Sequence, residues 1–295
     1  MIHAMLSLDV IILAKNESRH IARCLERLAP LEPRRVFVVD CFSTDDTKAL
    51  AEARGATVVE HEWPGTQSVQ FNWALDNLPL EADWILRLDA DEYLYPDTID
   101  EVKALLPTLP KSVSALSLSR ARVFLGKRLR FGQGKVILTR FFRRGVGRCE
   151  ERKMDEHIVL SSGETLELRG QFADDSLMTL DEWTLKHVGY AHREADDLRA
   201  GAFSAGDINA SAAAKRRLKG RYARLPLFWR SFAYFLYRYI FLGGFLDGKE
   251  GFLWAFLQAW WYRTYVDALV YEEKLSGSPP CENPRQGRGS CRFMV

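Results

Sequence analysis

Several signals are scarce in this chain of 295 residues. Its five cysteines, Cys24, Cys41, Cys149, Cys281 and Cys291, are odd in number and include no CxxC pair. That pattern argues against a disulfide framework or a structural zinc site, and for a reducing compartment. Excess charge of one sign is missing too. The 41 Lys and Arg nearly balance the 39 Asp and Glu, leaving +2. Such a balance gives no reason to expect nucleic acid as a partner. No uncharged apolar run reaches about 18 residues, so no simple spanning helix is evident. The opening stretch MIHAMLSLDVIILAKNE lacks the basic segment and apolar run of a signal peptide. No internal repeat is present. What remains is a globular composition, 47% hydrophobic, long enough for a domain of roughly 200 residues plus an appendage.

The first two hundred residues alternate strand-like and helix-like patterns. Val10 to Leu13, Val36 to Val39, Ala56 to Val59 and Trp84 to Leu88 are short apolar runs. Helical spacing appears between them, from about Ser18 to Leu28 and again up to Gly55, with Ser43 or Thr44 able to cap the second helix. Fully apolar strands separated by helices predict a parallel sheet covered on both faces. Ser114 to Leu118 and Leu138 to Phe142 read as further strands.

Three places carry acidic or amide groups just past a predicted strand, where open α/β sheets bind ligands. Asp89-Ala90-Asp91-Glu92 follows WILRL. Two carboxylates at that spacing can hold a hard divalent cation such as Mg²⁺ or Mn²⁺, although an acidic surface turn has the same spelling. Asp40 ends the second strand and can accept hydrogen bonds from a nucleobase or ribose, or close an Asx turn. Asn16 and Glu17 follow the first strand and can line the same crevice.

Together, VIILAKNES, VFVVDCFSTDDT, WILRLDADEYL and the later MDEH block resemble glycosyltransferase family 2. The resemblance spans roughly residues 7 to 195. It implies an α/β GT-A nucleotide-diphospho-sugar transferase fold, a Rossmann-like mixed sheet. It implies donor contacts from Asn16, Glu17, Asp40 and Asp89, and a divalent metal, Mn²⁺ or Mg²⁺, on Asp89 and Asp91. It places the general base of an inverting transfer at Asp155, with Glu156 as the alternative. His157 is then a third metal ligand or a diphosphate contact, or else a hydrogen-bonded structural histidine. The block Trp183 to Glu194 resembles a pattern of members that build bacterial surface glycans, which assigns Lys186, His187 and Arg193 to the leaving diphosphate. An ordinary helix with a solvated basic face fits the same spacing. Arg120, Arg122 and Lys127 read as solvated charges.

After residue 200 the character changes. Lys215, Arg216, Arg217, Lys219, Arg221, Arg224 and Arg230 form a basic run without an acidic residue. Sixteen of the chain's 35 aromatic residues fall between Phe228 and Tyr265. Leu253, Phe256, Leu257, Trp260, Trp261 and Thr264 repeat at the spacing of one helix face. Aromatic and basic residues together suit a membrane–water interface, while packing onto another protein surface is the alternative. DGKEGF resembles a segment of surface-polysaccharide glycosyltransferases. These readings predict a catalytic domain at 1–200, a helical membrane-associating region at 201–275 and a disordered tail at 276–295. They predict transfer from a UDP- or GDP-sugar to a lipid-linked glycan of lipopolysaccharide core or exopolysaccharide. The enzyme would be cytoplasmic and peripheral to the inner membrane face. A non-catalytic membrane adaptor of the same fold and a metal-dependent nucleotidyltransferase are the competing readings. The glycine-free loop AKNESRH counts against the latter.

Overall fold

The computed structural model describes residues 6–150, 157–199, 222 and 225–276. The run LSLDVIILA forms the central strand β1 (Leu6–Ala14). It is apolar throughout because both of its faces are covered. Leu8, Val10 and Ile12 point to one side, where helix α1 (Ile21–Leu28) packs through Ile21, Cys24, Leu25 and Leu28. Ile11 and Leu13 point to the other, against Phe37, Phe71 and Ile85. That alternation is the two-residue period of a pleated strand.

Next in the chain come β2 (Pro33–Asp40), α2 (Thr47–Glu52), β3 (Thr57–Glu60), α3 (Gln67–Asn77), β4 (Trp84–Asp89), β5 (Glu92–Leu94) and α4 (Pro96–Leu105). After them come β6 (Val113–Phe124), β7 (Lys127–Arg128), β8 (Ile137–Arg143), β9 (Gly147–Cys149), β10 (Ile158–Leu160) and β11 (Glu164–Asp174). Among the described residues the large sheet runs β3-β2-β1-β4-β8-β6-β11-β5, with β7 on β6; β9 and β10 form a separate hairpin. The first four strands are parallel, as expected. The sheet as a whole is mixed, because β8 runs antiparallel between β4 and β6. An apolar run encodes burial, not direction.

Register brings the strand ends together. Ala14 pairs with Asp40 on one side of β1, and Leu13 pairs with Asp89 on the other. The chain leaves β1 to build β2 and β3 on one side and returns to build β4 on the other. The carboxyl end of β1 is therefore a topological switch point, where such sheets bind ligands.

The chain divides into two compact units, at Leu177/Met178. Helix α5 (Leu180–Arg199) thus belongs with the C-terminal helices. The reason is its apolar stripe. Ala191 and Ala195 bury against Tyr262, Val266 and Leu269 of the last helix. Within this unit α6 (Trp229–Leu236) runs into a π-helical turn at Tyr237–Phe241 and a 3₁₀ turn at Gly244–Asp247. Helix α7 (Gly248–Ala255), a π segment at Phe256–Trp261 and α8 (Tyr262–Ser276) follow without a break.

The deepest apolar residues of that stretch are Trp254, Ala255, Ala259, Tyr262, Val266 and Leu269, not the stripe read from Leu253 to Thr264. The small Ala255 and Ala259 admit Phe235 of α6, and the π segment shifts the phase of the buried face. Two arginines of this unit are structural. Arg230 donates to Asp267 through Nε at 2.8 Å and is 4% exposed, with Asp267 at 1%. Arg263 pairs with Glu194. Among the described residues no helix is long and apolar enough to cross a membrane. The expected tail lies outside the described residues from 277 onward, while Ser276 itself closes α8.

Candidate functional site

Three loops meet at the carboxyl ends of β1, β2 and β4. In the loop after β2, the buried Asp40 carboxylate accepts the Ser43 N–H at 2.7 Å on Oδ2 and the Ser43 hydroxyl at 2.5 Å on Oδ1. The Ser43 Oγ in turn accepts the Asn16 N–H at 2.7 Å. The Asn16 Oδ1 accepts the Thr44 N–H at 2.8 Å. Asn16 holds φ at 54°, a left-handed conformation that asparagine tolerates better than most residues. Lys15 Nζ completes the stitching, donating to the Cys41 and Phe42 carbonyls at 2.6 Å each.

Ser43 and Thr44 are therefore not helix caps. Helix α2 begins at Thr47, and these two residues tie the β2 loop to the β1 loop instead. The Glu17 and Ser18 amides are likewise met, by Thr47 Oγ1 and Asp45 Oδ2. Burial works to raise the Asp45 carboxyl, but hydrogen bonds from Thr47 and Ser18 outweigh it and hold it down at about 2.

The second half of the site is acidic. Asp89 ends β4, and its Oδ1 is buried without a hydrogen-bond partner; Arg87 Nη2 stands 4.0 Å away. Burial first, then the neighbouring carboxylates of Asp174, Asp89 and Glu17, push Asp91 up to about 6. Glu92 is buried deeper and is raised well above the usual range, chiefly by burial, with Arg140 opposing the shift. Its Oε1 is paired with Arg140, and its Oε2 accepts the Asp89 N–H at 3.1 Å. Glu92 thus positions the backbone of the DADE turn. Glu17 leans on His20, whose Nε2 accepts the Leu177 N–H at 2.9 Å.

Asp174, at the end of β11, is a member that sequence reading missed. It accepts from Arg122 at 2.6 Å and lies 3.3 Å from Arg120. These two arginines are therefore clamped, not solvated, because their partner arrives from a strand far along the chain. Burial and the adjacent Arg122 lower the Arg120 pKa. Lys127 is exposed as expected. The available signal for Asp174 was its place in QFADD, an acidic pair closing an apolar strand. Asp175 beside it binds Arg23 at 2.7 Å and accepts the Tyr93 hydroxyl at 3.2 Å.

Other expected residues lie elsewhere. Asp155 and Glu156 lie outside the described residues. On either side of them β9 and β10 pair, and the Glu150 N–H donates to the His157 carbonyl at 2.9 Å. Asn72 exchanges hydrogen bonds of 2.9 Å with the Cys149 backbone, which ties β9 to α3. The His157 side chain is exposed. Among the described residues no three His, Cys, Asp or Glu side chains gather as a metal site.

Lys186, His187 and Arg193 sit on α5 in the second unit. His187 stacks on Trp183 at 3.6 Å, its Nδ1 donates to the Trp183 carbonyl and its Nε2 accepts from Gln258. Both ring nitrogens are thus engaged within the helical unit. Trp183 packs against Trp254 and Trp261. Lys186 and Arg193 are exposed over the Tyr190 ring, at 6.0 and 4.7 Å.

A mixed α/β sheet with acidic side chains converging at a strand-order switch point is the GT-A arrangement of nucleotide-sugar transferases. Residues 9–146 match the family model described as "Glycosyl transferase family 2". Over those residues the chain carries a family 2 glycosyltransferase domain. An uncharacterized glycosyltransferase of Rickettsia conorii is 40% identical over 96 residues, which cover 32% of this chain and 33% of the relative. The chain thus spans about a third of that relative's length. Solved structures with likeness include TarS of Staphylococcus aureus, with TM-score 0.43, 15% identity, 73% of this chain covered and 43% of the other. Glucosyl-3-phosphoglycerate synthase of Mycobacterium tuberculosis gives TM-score 0.33 and 22% identity, covering 39% of this chain and 44% of that one.

Proposed function

We propose that the protein transfers a hexosyl unit from a UDP- or GDP-sugar to a hydroxyl of a lipid-linked glycan, in building a bacterial surface polysaccharide such as lipopolysaccharide core or exopolysaccharide. The reaction takes place at the inner face of the cytoplasmic membrane. One observation carries this reading: inside a family 2 domain, Asp89 and Asp91 stand at the end of β4 with a buried Asp89 oxygen that accepts no hydrogen bond, Arg87 being 4.0 Å away. The donor set is all oxygen, and an orphaned carboxylate oxygen is what a hard divalent cation requires. Asp89 and Asp91 would hold Mn²⁺ or Mg²⁺, which supplies positive charge to the departing diphosphate.

The chain's other groups then have defined work. The loop built by Lys15, Asn16, Asp40 and Ser43 forms the wall for the nucleotide. Glu92 and Arg140 keep the DADE turn in place. Asp155, or Glu156 beside it, accepts the proton of the acceptor hydroxyl as its oxygen attacks the anomeric carbon. The bond from that carbon to the diphosphate breaks on the opposite face, and the configuration inverts.

Release of nucleoside diphosphate from UDP- and GDP-sugars, with and without Mn²⁺, tests the proposal. Asp91→Ala removes metal-dependent release. Asp155→Asn keeps donor affinity and lowers turnover by about 10²-fold or more, the usual scale for losing a base. Release that is indifferent to metal and to Asp91→Ala contradicts the assignment, and an effect confined to Glu156→Gln moves the base by one residue.

A further inference from the structure

The turn that joins α6 to α7 presents an apolar surface. Tyr237, Ile240, Phe241, Phe245, Leu246 and Phe252 are between 43% and 78% exposed, with Phe241 the most. The Tyr239 ring joins Phe245 at 6.3 Å and Phe252 at 5.6 Å, and the other four residues adjoin them along the turn. At roughly half of the 150–250 Å² an aromatic side chain can bury, six such residues expose on the order of 600 Å². Soluble monomers rarely show a contiguous patch above a few hundred Å².

The turn keeps its own charges inside, and the exposed Lys249 stands at the start of α7. Between Tyr237 and Gly248 the only charged residues are Arg238 and Asp247, and both are buried, at 8% and 4%. Its backbone is closed by the glycines of GGFLDGKEG. Gly243 and Gly248 have φ of 72° and 68°. A Cβ on Gly251 would stand 2.1 Å from the Gly244 carbonyl oxygen, so only glycine lets α7 approach the turn. The DGKEGF motif is thus the frame of the patch.

We propose that this turn is a lipid-inserting tip, which dips its aromatic and aliphatic side chains into the headgroup boundary of an anionic membrane. Charge decides between lipid and a second copy of this chain. From Lys215 to Arg224 the sequence has six Lys or Arg and no Asp or Glu, while Arg230 and Arg238 are buried. Anionic headgroups complement that excess, whereas a second copy of the chain carries the same excess and not its complement. Phe, Tyr, Ile and Leu with cations close in sequence is also the composition of interfacial anchors. The inference rests on the membrane site of action proposed above, but not on the chemistry at Asp89 and Asp91.

Co-sedimentation of the full chain with vesicles tests it, using phosphatidylcholine with 30% phosphatidylglycerol, a chosen mixture, against pure phosphatidylcholine. The double substitution Phe241→Ser and Leu246→Ser changes two exposed side chains and is expected to leave the melting temperature and nucleotide binding unchanged. It is predicted to weaken binding to anionic vesicles about tenfold or more, and to abolish the part that survives high salt. Unchanged vesicle binding by the variant overturns the proposal. So does wild-type binding that salt removes completely, which would leave the basic run alone as the anchor. A dimer that the double substitution dissociates, with vesicle binding intact, assigns the patch to a second copy and likewise overturns it. Loss of donor turnover with the tip response intact would instead count against the catalytic reading alone.

Discussion

Asp91 carries an electrostatic load that ties stability to function. Burial and three neighbouring carboxylates raise it to about 6. Between the ordinary carboxyl range and that value, the folded chain keeps a proton that the unfolded chain has lost. Stability therefore falls as pH rises through this window, and the loss is complete above it. Asp91→Asn removes the charge and keeps the shape. The variant is predicted to melt a few degrees higher than wild type at pH 8, a gain of about 1–3 kcal/mol, and to show no gain near pH 4. It is also predicted to lose metal-dependent nucleotide binding, so the two readouts move in opposite directions. Thermal melts across pH, paired with binding titrations, check both. Glu92 behaves differently because Arg140 opposes its shift. Arg140→Met leaves that carboxylate buried and unpaired, at a cost of about 3–5 kcal/mol near neutral pH. Because the Glu92 carboxyl is raised, the cost is predicted to be smaller at pH 5 than at pH 8 in the same melts.

Individual elements differ in how far they could be read from sequence. The apolar runs of β1, β2, β3 and β4 were legible because strands covered on both faces admit few polar residues. Their carboxyl ends were legible too, which is why Asp89 and Asp91 stand where the motif placed them. Direction was not legible: the apolar β8 looks like its parallel neighbours and inserts the other way. Ser43 and Thr44 have the chemistry of caps, and nothing local shows that the Asn16 loop is their partner. Arg120 and Arg122 looked solvated because Asp174 is distant in sequence. The same holds for Arg230 and Asp267, whose pairing joins the start of α6 to α8. Asp267 also accepts the Phe228 N–H at 2.7 Å. Asp267→Ala is therefore predicted to destabilise the helical unit by about 3–5 kcal/mol, read as a lower melting temperature. Arg230→Met with Asp267→Leu is predicted to recover most of that loss, since replacing a buried pair by apolar groups is often neutral.

At the scale of the molecule, the two compact units carry separate tasks in this account. The first holds the family 2 domain and the acidic strand ends; the second holds the aromatic helices and their exposed turn. Substitutions in one are predicted to leave the task of the other untouched. Asp91→Ala should bind anionic vesicles as wild type does, and the Phe241→Ser, Leu246→Ser variant should bind nucleotide as wild type does. Cross effects in either direction would mean that the units do not act independently. The central claim is that the strand ends bind a nucleoside diphosphate through a divalent cation. Calorimetric titration of the full chain with UDP and with GDP, each with and without Mn²⁺, tests it most directly. One nucleotide is predicted to bind in a way that depends on Mn²⁺ and is lost in Asp91→Ala. Binding of neither nucleotide by the folded protein, or binding indifferent to the metal, would contradict it.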